Sequence, residues 1–231
     1  EPDLVEVLPW GVKERLVQEK TALGFYLSGH LFDEVALEVR RFAKRPIEDL
    51  QDTREPQVVA GIVSDFRVIN GERGRRGVFK LDDKSTAIEA TVDDAMLNTH
   101  RALLQDDALL IVSGKYQPAR GGFEARFAVK EIWDLAAARC RYGRYLKVAV
   151  NTAGHPPGAA VAALLREFPP VREESEQGEV VRGLGVRLVV QCTGAMAELH
   201  LGDAARFYPT DAALAGWRLQ ADQGRSSIVY E

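Results

Sequence analysis

Val58-Val59-Ala60-Gly61-Ile62-Val63-Ser64-Asp65-Phe66-Arg67-Val68-Ile69 reads as one long strand, rich in β-branched residues, with Gly61 permitting a sharp bend inside it. Asn70-Gly71 begins a turn, and Glu72-Arg73-Gly74-Arg75-Arg76-Gly77 follows as a basic, glycine-rich loop. Val78 to Leu81 and Thr86 to Val92 make two more strands around the turn Asp82-Asp83-Lys84-Ser85. In the second of them Ile88, Ala90 and Val92 alternate with Ala87, Glu89 and Thr91, as one buried face requires.

Downstream, Asp94 can cap a helix that carries Leu97, His100, Leu103 and Leu104 on one side. A strand from Ala108 to Tyr116, a loop containing Gly121-Gly122 and a strand from Phe123 to Trp133 complete the stretch. Three strands, a helix and two strands within about 80 residues is the order of an oligonucleotide-binding (OB) barrel, whose helix lies between strands three and four.

Upstream, residues 1 to 50 read as helical: Trp10 and Leu16 punctuate the first part, Gly24 can stop it, and Val35, Val39 and Phe42 repeat at helical spacing. Pro46 and the polar run Gln51 to Pro56 read as a linker. Beyond Trp133 a basic cluster, Arg139, Arg141, Arg144 and Lys147, reads as a hinge leading into a short strand from Tyr145 to Val150. Pro156 and Pro157 can start a helix with Val161, Leu164, Leu165 and Phe168 at i, i+3, i+4 and i+7. A loop from Pro169 to Glu179, strands at Val186 to Val190 and Ala197 to Leu201, a short helix from Pro209-Thr210-Asp211 and a closing strand at Ile228-Val229-Tyr230 follow. The expected class is α+β: an N-terminal helical segment (1–50), a five-stranded OB-fold β-barrel (56–135) and a small C-terminal α+β domain (145–231).

The 231 residues are 46% hydrophobic and 28% charged, the balance of a soluble globular protein rather than a disordered or collagenous one. Thirty basic residues against 34 acidic ones leave a formal charge of -4, so any attraction to nucleic acid has to come from local patches. Cys140 and Cys192 are too few for a disulfide framework, which fits a reducing cytoplasm. His30, His100, His155 and His200 are scattered without partners at metal-ligand spacing, so neither a metal site nor a cofactor is expected. The first residues lack the features of a signal peptide and no apolar run approaches ~18 residues, so no membrane association is expected. An opening without Met suggests a fragment or processed form, with other chemistry upstream.

Several stretches together resemble one family. Glu19-Lys20-Thr21-Ala22-Leu23-Gly24-Phe25-Tyr26-Leu27-Ser28-Gly29-His30 is similar to the segment before the OB domain in the alpha subunit of bacterial DNA polymerase III, with Leu31 where that family usually has Pro. Arg73-Gly74, Leu81-Asp82-Asp83, Leu103-Leu104 and Leu110-Ile111-Val112-Ser113-Gly114 recur in the family's order and spacing. Gly185 to Val190, Arg206 and Pro209-Thr210-Asp211 match its tail more loosely, with Ala205 where the family often has Trp. The resemblance implies the C-terminal region of a DNA-directed DNA polymerase subunit in the cytoplasm. It comprises the end of a clamp-binding region, an OB domain for single-stranded template and a tail domain for the tau subunit of the clamp loader. It also implies that sliding-clamp contacts and the metal-binding aspartates of the polymerase lie mostly upstream, so no catalytic residues are expected in this chain.

The candidate strand-binding residues are read from position. Arg73, Arg75, Arg76 and Lys80 cluster at the first barrel loop, one of two that OB folds use for oligonucleotides. The other loop offers Arg120 between Tyr116 and Phe123, and Lys115, Arg126 and Lys130 add cations from adjacent strands. Phe79 and Phe127 share parity with core positions, so charge rather than base stacking is expected to dominate. Asp82-Asp83, Asp93-Asp94 and Asp106-Asp107 resemble catalytic carboxylate pairs but sit at turns and a helix start, where Asp satisfies backbone N–H groups. Two other readings stand beside this one: a protein-interaction scaffold with no direct nucleic-acid binding, and an anticodon-binding module, which would want more aromatic strand faces.

Overall fold

A computed structural model describes residues 11–24, 26–71, 74–151, 158–175, 178–192 and 194–230. The chain divides into two compact units, Glu1–Ile132 and Trp133–Glu231.

In the first unit β1 (Gln57–Gly71), β2 (Gly74–Asp82), β3 (Ala87–Val92), β4 (Leu109–Gln117) and β5 (Arg126–Trp133) form a closed barrel in the order β1-β2-β3-β5-β4. Helix α3 (Asp94–Thr99) stands between β3 and β4, which is the OB-fold topology. β1 is shared: Gln57 to Ile62 pair with β4, and Ile62 to Gly71 pair with β2. A bulge between Ser64 and Arg67 makes the turn from one partner to the other, with Asp65 at φ 54. Gly61 sits at the crossing, where an added Cβ would lie 2.9 Å from the Asp82 backbone nitrogen. Gly114 does the same for β4 against β5, because a Cβ there would fall 2.2 Å from the Ala128 carbonyl oxygen. The core inside is aliphatic and aromatic, including Val59, Val63, Phe79, Leu81, Leu110, Val112 and Phe127.

The structure changes several expected boundaries. β1 and β2 run on until only residues 72 and 73 separate them, so Arg75 and Arg76 lie on a β-ribbon, opposite Asn70 and Ile69, rather than in a loop. The α3 cap is Asp93, whose carboxylate accepts the Met96 N–H at 2.9 Å, and not Asp94. Among the described residues the N-terminal segment is helical in α1 (Val12–Leu23), α2 (Ala36–Val39) and two 3-10 turns and irregular between them. It belongs to the barrel's unit, and Ile47 and Leu50 sit in the barrel core.

Polar contacts hold that segment down. Glu19 accepts the Leu27 and Ser28 N–H groups at 2.8 Å each, Lys20 pairs with Asp107, and Lys84 pairs with Asp33 at 2.8 Å. The most buried anchor is Asp83, 3% exposed, on the β2–β3 turn. It accepts from Arg40 at 2.6 Å, from the Ile47 N–H at 3.0 Å, and from the Ser85 hydroxyl and N–H at 2.5 and 3.1 Å. Burial pushes this carboxyl's pKa up, but Arg40, Ser85 and the Ile47 N–H outweigh it and hold it below the ordinary value.

In the second unit α4 (Leu135–Tyr142) runs directly into β6 (Gly143–Asn151), so the expected basic hinge is regular structure. Arg139 is buried on α4 and donates to the Pro209 carbonyl at 3.0 Å and to Asp211 at 2.7 Å. The sheet order is β10-β9-β6-β11, with β9 (Gly185–Cys192) parallel to β6 and with β10 (Ala195–His200) and β11 (Ser226–Tyr230) antiparallel at the edges. Much of the expected loop from Pro169 to Glu179 is instead a hairpin of β7 (Val171–Ser175) and β8 (Gly178–Arg182). Helices α5 (Gly158–Glu167) and α6 (Asp211–Gln220) bring Val161, Leu164 and Trp217 into one core with Leu146, Val186 and Phe207. Pro156 and Pro157, expected to open α5, lie outside the described residues.

The Asp83 anchor makes a stability prediction. Arg40→Ala leaves the carboxylate buried without its counter-charge and should cost about 3 kcal/mol, read from the shift in urea midpoint. Because the folded-state pKa is depressed, Asp83 contributes stability above its unfolded value of about 3.9, and that contribution is lost as pH falls through the folded pKa. Stability below about pH 4 should therefore fall less steeply in Asp83→Asn than in the parent chain. Equal slopes would remove Asp83 from this role.

Candidate nucleic-acid interface

The register places residues in rows across the barrel strands. Ser64, Lys80, Glu89 and Arg126 stand in one row across β1, β2, β3 and β5, and Arg67, the buried Val78, Thr91 and Ala128 stand in the next. Beside the second row a groove of about 510 Å³ is lined by Arg75 and Arg76 from β2, Lys130 from β5, and Asp93 and Asp94 at the start of α3. Three cations from two strands thus converge on one concavity with a floor of small side chains, Thr91 and Ala128 among them.

Most cations on this surface already hold a carboxylate. Lys80 pairs with Asp65 at 2.7 Å, and the hydrogen bond between them raises the lysine's pKa and lowers the aspartate's. Glu89 lies between two arginines, with Arg67 at 2.8 Å and the Arg126 Nε at 3.2 Å. The Arg126 Nε is buried and makes no hydrogen bond, so the Glu89 contact is an ion pair without hydrogen-bond alignment. Arg75 donates to Asp94 at 2.6 Å and to Asn98, and Arg120 pairs with Asp52 at 2.8 Å. Among the described residues Arg76, Lys115 and Lys130 make no ion pair, and all three are exposed.

The sequence candidates divide accordingly. Arg75, Arg76 and Lys130 are brought together in the groove, and Lys80 and Arg126 occupy the adjoining row. Arg120 and Phe123 lie at the β4–β5 loop, where they bridge each other across a short turn. Phe123 is 68% exposed with the Arg126 guanidinium 5.9 Å from its ring centroid. Tyr116 is half-buried against the barrel core, which leaves it little free ring face. Arg73 lies outside the described residues. Phe79 and Phe127 are 1% and 0% exposed.

Reading the sequence alone missed Arg67 and the acidic partners Asp52, Asp65, Glu89 and Asp94. The signal for Glu89 was present, because strict alternation puts it on the face that carries Lys80 and Arg126; the Arg120–Asp52 pair spans 68 residues and leaves no local trace. Within the Asp pairs, Asp82 accepts the Lys84 N–H of its own turn at 2.8 Å and Asp93 caps α3, whereas Asp106 accepts the distant Phe66 N–H at 3.2 Å and Asp94 and Asp107 pair with Arg75 and Lys20. Among the described residues no group of three or more His, Cys, Asp or Glu is placed to hold a metal ion.

Three comparisons place the chain among known proteins. No family model matches it. It is 30% identical over 219 residues to the DNA polymerase III subunit alpha of Vibrio cholerae, covering 93% of this chain and 18% of that protein. It is 37% identical over 142 residues to the same subunit of Pseudomonas fluorescens, covering 61% of this chain and 12% of the relative. The chain therefore spans less than a fifth of the length of the relatives it matches. Among solved structures, the small single-stranded DNA-binding protein of Streptomyces coelicolor overlaps 36% of this chain and 96% of its own, at 16% identity and a TM-score of 0.31. The second OB-fold domain of replication protein A from Methanococcus maripaludis overlaps 39% and 93%, at 14% identity and a TM-score of 0.32.

The exposure of the aromatics makes a prediction that separates surface from core. Phe127→Ala should cost about 3–5 kcal/mol of stability, whereas Phe123→Ala should stay within about 0.5 kcal/mol. Denaturant unfolding checks both, and a large cost at Phe123 would contradict its placement at an exposed loop.

Proposed function

From the premise that this chain is in sequence a region of the DNA polymerase III alpha subunit, we propose that it is an accessory part of that polymerase whose barrel holds single-stranded DNA template. The observation that carries the reading is the convergence of Arg75, Arg76 and Lys130 on one groove of an OB barrel. Cations spread over adjacent strands can follow a flexible phosphate backbone, and the small side chains between them leave room for the strand. With Phe79 and Phe127 buried and Tyr116 half-buried, Phe123 is the most exposed of the candidate aromatics among the described residues and offers the main stacking face. Binding is therefore dominated by charge and has little sequence preference.

The second unit, in this reading, docks the tau subunit of the clamp loader. Support comes from the tail resemblance at Gly185 to Val190 and Pro209-Thr210-Asp211, and from the regular edge strand β10, on which Met196 and Leu199 are 74% and 50% exposed. Polymerisation and contact with the sliding clamp are assigned to parts of the whole subunit outside this chain, and its location to the cytoplasm with the rest of replication. The alternative, an interaction scaffold that never touches nucleic acid, draws on a different observation: most of the barrel's surface cations are internally paired.

Two measurements separate these readings. Combined replacement of Arg75, Arg76 and Lys130 by Ala should weaken binding of a labelled oligo(dT) strand and reduce the slope of log affinity against log salt by about 0.7 per lost phosphate contact. An unchanged slope would leave the groove as solvated surface. The intact chain should also bind tau and the oligonucleotide at the same time; mutual competition would contradict the division of labour.

A further inference from the structure

We propose that Asp65, Glu89 and Asp94 are built-in competitors for phosphate that hold the barrel's affinity for single strands down. The inference rests on the strand-binding reading and deepens it. Lys80, Arg67, Arg126 and Arg75 each carry one of these carboxylates within 3.2 Å. A phosphate that engages such a cation must displace or share with the carboxylate, whereas Arg76 and Lys130 offer their charge without that cost. On the two rows and the groove stand the six cations Arg67, Arg75, Arg76, Lys80, Arg126 and Lys130 with the carboxylates Glu89, Asp93 and Asp94, and Asp65 from the β1 bulge and Glu124 stand near Lys80.

These three carboxylates differ from the acids that build the fold. Asp83 is buried and Asp93 caps α3, so each accepts backbone N–H groups. Asp65, Glu89 and Asp94 accept instead from cationic side chains on the barrel's outer surface. Glu89 is the most economical of the three, since one carboxylate occupies two arginines on either side of it, from β1 and β5. The bulge that coils β1 is also what turns Asp65 toward Lys80 on the neighbouring strand. The consequence is a face that attracts a strand through a modest surplus of charge and releases it readily, as a template moving through a polymerase requires.

Solvent screening keeps each exposed pair weak, so releasing one cation should change affinity by no more than about fivefold. The test is oligo(dT) binding across a salt series by the full chain and by the variants Asp65→Asn, Glu89→Gln and Asp94→Asn, singly and together. Asn tolerates the left-handed backbone at position 65 and Gln preserves the shape of Glu89, so the surface is kept while its charge changes. Each single variant should bind about threefold tighter and the triple at least tenfold tighter, with a salt slope steeper by about 0.7 for each cation released to phosphate. Glu179→Gln makes the same change in net charge on the β7–β8 hairpin and should leave binding unchanged. Circular dichroism and urea midpoints check folding. If the half-buried position 89 does not tolerate Gln, the Asp65→Asn and Asp94→Asn pair carries the same expectation.

Parent binding with no gain in the variants, or an equal gain in Glu179→Gln, would overturn the competitor role while leaving the strand-binding reading intact. Absence of binding by every variant at the lowest salt would overturn the strand-binding reading and the competitor role with it.

Discussion

The barrel depends on a single strand being shared between two partners. Fifteen residues of β1 pair first with β4 and then with β2, and a straight strand cannot do both. Gly61 allows the crossing because no side chain stands between its backbone and that of Asp82. The bulge at Asp65 and Phe66 supplies the remaining turn. Its cost in lost ladder bonds is partly met locally, since the Phe66 N–H donates to Asp106. Phe66 then packs on the core while Asp65 reaches Lys80, so the irregularity that closes the barrel also shapes the charge of its outer face.

How much of this was legible depended on the range of the interaction. The alternation at Ile88, Ala90 and Val92 and the parity of Phe79 and Phe127 depend on neighbours along one strand, and each of these residues is buried where the alternation puts it. The strand and helix order was equally local, and it sufficed for the OB topology. The segment after Asn70-Gly71 reads as a basic, glycine-rich loop because two glycines and four charges suppress strand propensity; cross-strand pairing with β1 overrides that at Arg75 and Arg76. Arg139 reads as part of a basic hinge, yet it is buried against Pro209 and Asp211, 70 and 72 residues away. Ion partners at such separations have no local signature, which is why the cations of the candidate site were visible and most of their carboxylates were not.

The two units differ in what they expose. The first gathers cations on a curved sheet whose core is closed and whose N-terminal segment is tied down at Asp83. The second buries Trp217 and Phe207, with ring centroids 5.5 Å apart, and exposes a regular edge strand. A groove with three converging cations and few free aromatic faces suits a ligand that is charged, repetitive and chemically uniform along its length, which is what a nucleic-acid backbone offers. An exposed strand edge suits a peptide segment instead.

Backbone amide chemical-shift mapping of the intact chain, titrated with oligo(dT) at low salt, tests the central claim most directly. The account places the largest shifts on β2, β3 and β5 around Arg75, Arg76, Thr91 and Lys130, fading as salt is raised. Shifts concentrated on β9 and β10, or none anywhere on the barrel, would contradict it.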